Sequence, residues 1–365
     1  MTERSPHPLK TDEKMSDTSN INIKLADQSD IEKWDNYLEK SSNKTFAHRW
    51  GWSEVLKNSF GVKPYYFIAG ENGEVRGILP TTLMKSMLFG KFLISLPWLD
   101  YGGPVADNEE IALKLVDSAD KLARDNDCEF FEMRAVRHRL ADMTEKTDKR
   151  EFIIDLSGGE ETVWKSFDAK ARNQVRKAEK ANLTVEFGGV EMLGEFYKVF
   201  ACNMRDLGTP VWPSSLFTEI FRNFPGDAEF ALVKLDGNAI AGGLLLHYGD
   251  YSGVPSASAY RHYLNLCPNN ILYWEIIKRC IQRGSTVFDF GRSSENAGTY
   301  RFKKQWSKKS VEPREQVWQY RLFKIDNLPE LNPNNPKFKL AINIWRRLPL
   351  PIANFLGPKI VTKLP

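Results

Sequence analysis

The sequence predicts an α/β protein of mixed-sheet type in which one folding unit occurs twice. Three observations carry that expectation. An apolar hairpin pattern, Tyr65 to Leu83 about the turn Glu71-Asn72-Gly73-Glu74, returns at Phe230 to His247 about Leu235-Asp236-Gly237-Asn238. Each hairpin is followed by a helix-period segment and a short apolar strand: Glu109 to Arg124 before Phe130 to Arg134, and Asn270 to Arg283 before Val287 to Arg292. The 365 residues also exceed what one hydrophobic core usually serves, so two units of ~150 residues are the natural division. Recurrence half a chain apart points to a duplication with a shared interface; its rival is the chance repetition of two common patterns.

Taken in order, Met1 to Asn20 mixes Ser, Thr, Pro, Lys and Asp without an apolar core, and is expected to be a disordered tail rather than a signal peptide or anchor. The first unit is placed at 21–155 and the second at 156–325, with a linker and basic tail at 326–365. In the hairpins, Gly77 sits near the start of the second strand, as Gly242 and Gly243 do in the repeat. Between the units, Val163 to Asn182 reads as one long helix. Phe167, Ala171, Val175 and Ala178 share one face, and Lys170, Arg172, Asn173, Arg176, Lys177 and Lys180 cover the other. That cationic face is either a solvated surface or an anion track.

Pro268-Asn269-Asn270 opens a further helix that Gly284 closes. Val287 to Phe290 then reads as a buried strand that the chain leaves at Gly291. This puts Arg292 and Ser293 at the strand's carboxyl end, where open α/β sheets bind ligands. A short helix through Tyr300, Lys303 and Lys304 is expected to return to the same edge, so that donors and cations converge on an anionic or carbonyl group. Beyond the linker Asn332 to Pro336, Lys337 to Pro365 carries six Lys and Arg and no acidic residue, interleaved with Phe338, Ile342, Trp345 and Leu348 to Leu350. It either lies on an anionic membrane or packs across the units with its cations in water.

Composition bounds the classes. The net charge of +4 argues neither for a nucleic-acid protein nor against one, and no apolar run reaches the ~20 residues of a spanning helix. Cys128, Cys202, Cys267 and Cys280 lie far apart with no metal-ligand spacing, so no structural zinc is expected and a reducing cytoplasm fits best. His48, His138, His247 and His262 are scattered, and no Ser/His/Asp or Cys/His constellation stands out.

Six stretches in a fixed order carry a family resemblance: Leu99 to Val105, Lys170 to Lys180, Asn203 to Pro210, Pro268 to Glu275, Phe288 to Ser293 and Gly298 to Trp306. Over roughly Phe46 to Tyr320 the chain resembles the FemAB and FemX family, whose members carry two GNAT-like acyltransferase domains in tandem. It is most similar to the FemAB-like proteins associated with the exosortase and PEP-CTERM system, which are described through a BioF2-like acetyltransferase domain. It departs from the family at Ser307, where glycine commonly follows the final Lys-Gln-Trp.

The resemblance implies transfer of an acyl or aminoacyl group onto an amine of a cell-envelope precursor, peptidoglycan or exopolysaccharide, by direct attack without a covalent enzyme intermediate. The donor would be a co-substrate, aminoacyl-tRNA, acyl-CoA or acyl carrier protein, with no permanently bound cofactor and no metal. Lys303 matches the family lysine that stabilises the developing carbonyl charge, and Arg205 matches an arginine near the acceptor's phosphates. The scattered cysteines place the protein in the cytoplasm, and the basic amphipathic composition of 337–365 leaves peripheral contact with the inner membrane as an option.

Among the other candidates, Arg292, Ser293 and Tyr101 would bind substrate. Tyr300 would orient a carbonyl or close a core. Arg172 and Arg176 would track tRNA phosphates. Asp107 is the proposed proton acceptor, with Asp100 beside it; both also suit turn capping, and substrate-assisted proton loss is the alternative. Arg205 and Arg292 would otherwise pair with Asp206 or Asp289. The absence of a Gly-rich loop before Asn270 weighs against acetyl-CoA. The rival functions are an N-acyltransferase using acyl-CoA or acyl carrier protein, and a non-catalytic scaffold that binds an envelope glycan.

Lys303→Met is expected to raise the barrier to acyl transfer by ~3 kcal/mol, the scale of one lost oxyanion donor. Lys309→Met should leave turnover near that of the parent chain, and equal losses in the two variants would remove Lys303 from the chemistry.

Overall fold

Asn72-Gly73 and Asp236-Gly237 take the left-handed backbone that a two-residue hairpin turn requires, with φ of 51°, 85°, 49° and 77°. The strands on either side pair in the register the alternating pattern demands. The computed structural model describes residues 20–86, 90–134, 139–295, 297–306, 313–328 and 339–364. The N-terminal tail, His138, Ser307 to Lys309 and the linker through Asn332 to Pro336 lie outside the described residues, apart from Asn20.

The first half runs β1 (Asn22–Leu25), α1 (Ile31–Lys40), α2 (Gly51–Phe60), β2 (Lys63–Glu71), β3 (Glu74–Ser86), β4 (Gly90–Ile94), β5 (Val105–Ala106), α3 (Glu109–Asp125), β6 (Phe130–Met133) and β7 (Thr144–Asp155). The second runs α4 (Gly159–Ser166), α5 (Ala169–Lys180), β8 (Thr184–Gly188), α6 (Leu193–Leu207), α7 (Ser214–Asn223), β9 (Ala228–Leu235), β10 (Asn238–Tyr248), β11 (Tyr251–Ala259), α8 (Pro268–Gln282), β12 (Val287–Ser294), α9 (Gly298–Lys304) and β13 (Arg314–Leu322). Two helices follow, α10 (Lys339–Trp345) and α11 (Leu350–Val361).

All strands but β5 form one path, β1-β2-β3-β4-β6-β13-β7-β12-β11-β10-β9-β8, and β5 pairs beside it with β3. The order reads as a repeat about its centre. In each half a helical pair precedes an antiparallel meander, β2-β3-β4 or β9-β10-β11. A helix, α3 or α8, then crosses, and the next strand returns parallel to the last: Phe92 faces Phe130, and Tyr251 faces Val287. The halves are joined by exchange. β7 belongs to the first half but pairs with β12 of the second, whereas β13 of the second pairs with β6 of the first, and β7 and β13 pair with each other.

The repeated glycines let helices approach the sheet closely. A Cβ at Gly77 would lie 3.0 Å from Ile111 and Leu115 of α3, and one at Gly242 would lie 2.7 Å from Leu232 and 3.2 Å from Phe196 of α6. Gly243, the next residue, faces α8 through Ile276 on the opposite side of the sheet. Three large cores result. One runs across both halves through Trp34, Trp52, Phe196, Phe217 and Phe230; a second gathers Phe152, Trp274, Phe288, Phe290 and Trp306; a third packs α3 on the first half's strands through Leu79, Ile111, Leu115 and Phe131.

Two local expectations need correction. Val163 to Asn182 is two helices, because the chain turns extended at Phe167 (φ −73°, ψ 154°). Phe167 is buried edge-on against Trp274 and Trp306, and the Asp168 amide donates to the Gln305 carbonyl at 3.0 Å, so contacts made far along the chain take the place of a continuous helix here. The predicted faces survive within α5: Ala171, Val175 and Ala178 are buried, whereas Lys170, Arg176, Lys177 and Lys180 are exposed. The second correction is at Gly291. The strand does not end there but continues to Ser294, and its pairing with β7 is irregular between Asp289 and Arg292.

Gly242→Ala is expected to destabilise the protein by about 1–3 kcal/mol through overpacking. Gly243→Ala, whose Cβ would meet nothing closer than 3.4 Å, should cost less. Urea unfolding midpoints of the two variants check the difference.

Candidate active site

β11 and β12 pair in parallel only from Tyr251–Val287 to Gly253–Asp289. Beyond that point β11 follows β10 through an irregular step and β12 turns toward β7, so the sheet opens. The chain between β4 and β5, residues 95–104, covers this opening from the first half. Its conformation is unusual for its sequence: Leu96 and Trp98 sit in the left-handed region at φ 51° and 63°. The surrounding structure holds it there. Ser95 donates its amide to Glu132, Gly103 to Arg134, and Arg134 donates through its guanidinium to the Leu99 carbonyl at 3.1 Å. A Cβ at Gly102 would lie 2.6 Å from the Ser95 carbonyl oxygen, which explains a glycine in that stretch.

Between loop and sheet lies a narrow cleft with about 30 Å³ of room, open to solvent, lined by Phe46, Trp98 to Tyr101, Val254, Pro255, Asp289 and Gly291. Asp289 is buried on its floor, accepting the Gly291 amide at 2.6 Å on Oδ1 and the Tyr251 hydroxyl on Oδ2. Burial pushes its carboxyl up to about 6, against the hydrogen bonds that favour the ionised form. The Tyr101 hydroxyl is close enough to Asp289 and Tyr251 to influence both. It completes no well-formed hydrogen bond, and neither does the buried indole nitrogen of Trp98, so the cleft presents two unpartnered polar groups.

Beside the cleft, next to Gly291 but not among the lining residues, stands Lys303, delivered by α9. Its Nζ donates to the Arg292 carbonyl at 2.8 Å. Burial pulls its ammonium down to about 8, while the carboxylates of Asp100 and Asp289 act in the opposite direction. Asp100 reaches over from the first half, accepting Arg292 Nε at 2.6 Å and the Arg292 amide at 3.3 Å. The Arg292 guanidinium also lies 4.0 Å from the ring centre of Trp318, a residue of the exchanged strand β13. Gly291 sits at the middle of this group with φ 70°. A Cβ there would be 3.2 Å from Asp100 Oδ2 and 3.7 Å from Lys303 Nζ, so glycine serves both the backbone conformation and the close approach.

Of the residues singled out from sequence, the structure brings together Lys303, Arg292, Tyr101 and Asp100. Ser293 is buried beside them with its hydroxyl unpartnered. Tyr300 packs edge-on to Phe152 at 5.3 Å and does not line the cleft. Asp107 lies elsewhere in the first half, 3.6 Å from Arg76 and accepting the Tyr37 hydroxyl at 2.9 Å; it is not among the cleft residues. Arg205, at the end of α6, pairs with Asp206 at 2.7 Å and donates to the Leu348 carbonyl at 3.2 Å, tying down the chain between α10 and α11. Arg172 donates to the carbonyls of Lys165 and Phe167 at 3.0 and 2.8 Å, closing the end of α4. Arg176 is exposed beside Asn173 and Trp164. Arg292 takes Asp100 as its carboxylate partner, not Asp289.

Asp289 and Trp98 are the cleft residues that sequence reasoning undervalued. The available signal was a lone acid between Phe288 and Phe290 in an otherwise apolar strand.

Residues 165–304 match the family model described as an acetyltransferase (GNAT) domain. The crystal structure of FemX superposes with a TM-score of 0.63 at 17% identity, covering 88% of this chain and 100% of that one. A tandem GNAT protein from the clavulanic acid biosynthesis pathway superposes at 0.52 and 10% identity, covering 83% and 98%. The fold is a tandem GNAT fold. L-PGS from Bacillus licheniformis has it too, with a TM-score of 0.54 at 15% identity over 89% of this chain and 98% of that one. No curated protein matches the chain by sequence. In this tandem GNAT arrangement the cleft belongs to the second unit and one of its walls to the first.

Asp100→Asn removes a carboxylate that helps Lys303 keep its proton, so Lys303 is expected to titrate below 8 in that variant. The pH dependence of its labelling by an amine-reactive reagent, followed by mass spectrometry, measures the shift.

Proposed function

We propose that the protein is an acyltransferase that moves an acyl or aminoacyl group from an activated ester or thioester to an amine, in the cleft between β11, β12 and the loop 95–104. The observation that carries this reading is the pair of buried groups flanking Gly291: a carboxyl raised to about 6 and an ammonium lowered to about 8. The match of residues 165–304 to an acetyltransferase domain supports the same class of reaction.

A neutral amine attacks the donor carbonyl, forming the C–N bond and a tetrahedral oxyanion. Lys303, protonated below about 8, donates to that oxygen with an N–H not engaged by Arg292. Asp289, ionised above about 6, takes the proton that the amine nitrogen must lose. Collapse of the intermediate breaks the bond to the donor's oxygen or sulfur, which leaves with the proton that Asp289 took up, so the carboxylate is regenerated and no group of the enzyme is acylated. Arg292, held by Asp100 and Trp318, positions the backbone carbonyl that anchors Lys303. Tyr101 and Trp98 offer their unpartnered groups to the substrate.

In this reading the acceptor is an amine of an envelope precursor in the cytoplasm and the donor is aminoacyl-tRNA, acyl-CoA or acyl carrier protein. The FemAB-like motifs favour that choice, including the link to exopolysaccharide in exosortase systems. The exposed lysines of α5 suit a phosphate-bearing donor. Labelled donors of the three kinds, supplied separately, identify the one consumed.

The pH dependence follows from the two groups. Below about 6 Asp289 is protonated and cannot accept, so kcat/KM rises with pH through that value; above about 8 Lys303 loses its proton, so kcat/KM falls. Asp289→Asn is expected to abolish the acid limb and lower kcat/KM ~10²- to 10⁴-fold. A variant that keeps both limbs and full turnover would sink the assignment of Asp289.

A further inference from the structure

The C-terminal helices bury one face and leave the other apolar. α11 seats Ala353, Gly357 and Val361 against the body of the second half, so closely that a Cβ at Gly357 would lie 2.8 Å from the Val211 amide nitrogen. Arg346, just after α10, donates to the Leu207 carbonyl at the end of α6. The segment is therefore docked, and its outward side chains are not waiting to complete this core. Yet Leu340 is 72% exposed, Ile344 55%, Ile352 46% and Phe355 65%, the four highest values among the described large apolar side chains after α9. They recur at helical spacing: Leu340, Ile344 and Arg347 share one face of their turn, and Ile352, Phe355 and Lys359 another.

We propose that this outward face docks the protein on an anionic lipid bilayer. Charge complementarity selects that occupant. Residues 337–365 carry six cations and no acidic residue, and among the described residues Arg347, Lys359 and Lys363 have no carboxylate partner. The Lys359 ammonium stands 3.8 Å from the ring centre of Phe355, with charge and apolar surface in direct contact. Apolar side chains that point outward and are rimmed by cations match the boundary between acyl chains and anionic headgroups. At 12 residues α11 is too short to cross a bilayer and suits an orientation in its plane. A nucleic acid would use the cations and leave Leu340 and Phe355 in water. A second copy of this chain would bring two cationic faces together.

Co-sedimentation of the full chain with vesicles tests this independently of any catalytic activity. Vesicles of phosphatidylcholine doped with phosphatidylglycerol are expected to bind the protein at least ~10-fold more tightly than phosphatidylcholine alone, with the difference shrinking as salt rises. Ile352→Glu with Phe355→Glu should cut binding to the anionic vesicles ~10-fold or more at an unchanged melting temperature, since both side chains are exposed. If that pair lowers the melting temperature, Arg347→Gln with Lys359→Gln tests the same surface through its charges, with the same loss of binding expected. Failure to bind anionic vesicles, or equal binding by parent and variants, overturns the proposal. So does a concentration-dependent dimer that the glutamate pair abolishes while vesicles remain unbound, which would assign the face to a second copy.

Discussion

The exchange of β7 and β13 between the halves is the constraint on which the rest of the molecule depends. It fuses two repeated units into one sheet and fixes their relative placement through three ladders of backbone hydrogen bonds. The loop 95–104 of the first half consequently stands over the opening between β11 and β12 of the second. Asp100 meets Arg292 across that seam, and Trp318 sits 4.0 Å from Arg292 and 4.6 Å from Arg134, one arginine from each half. The Asp100–Arg292 pair is only partly buried, so it orients more than it stabilises. The positional accuracy of the cleft comes from the ladders beneath it.

The duplicated topology makes the two halves unequal in an informative way. The parallel step between β4 and β6 corresponds to that between β11 and β12, but in the first half it is filled. Phe92 and Phe130 stack at 5.0 Å, and Arg134 and Glu132, both almost fully buried, pair at 2.6 Å. Removing either partner would strand a buried charge, so the pair closes the position firmly. In the second half the corresponding region holds Asp289 without a cationic side chain bonded to it, and space remains above it. One unit has become a wall, and the other has kept an opening.

What sequence reading recovered was local. The hairpins, the glycines that admit α3, α6 and α8, and the start and stop of α8 each depend on residues within a few positions of one another. The nearness of Lys303 to Arg292 was legible because motif order placed both at one strand end, which the short helix α9 returns to. The break at Phe167 was not legible, because its cause is Gln305 and Trp306 on a distant element. Arg205 shows a different limit: an arginine suited to phosphate and one paired with its neighbour Asp206 have the same local sequence. Asp107 shows the same limit, since a turn aspartate reads the same whether it faces a cleft or Arg76. The raised carboxyl of Asp289 depends on burial, which no spacing rule discloses.

The crossed strands also bear on biogenesis. Contacts such as that of Leu140 with Gln319 join residues 179 positions apart, so the first unit emerges from the ribosome with the β6 edge bare and β7 still without either sheet neighbour. Closure of the sheet awaits β13, which follows all the other described strands, and this makes for a slow, topologically demanding fold and leaves any chain cut short of β13 with a sticky edge. Translation thus has to pass β13 before the loop 95–104 is locked over the opening between β11 and β12.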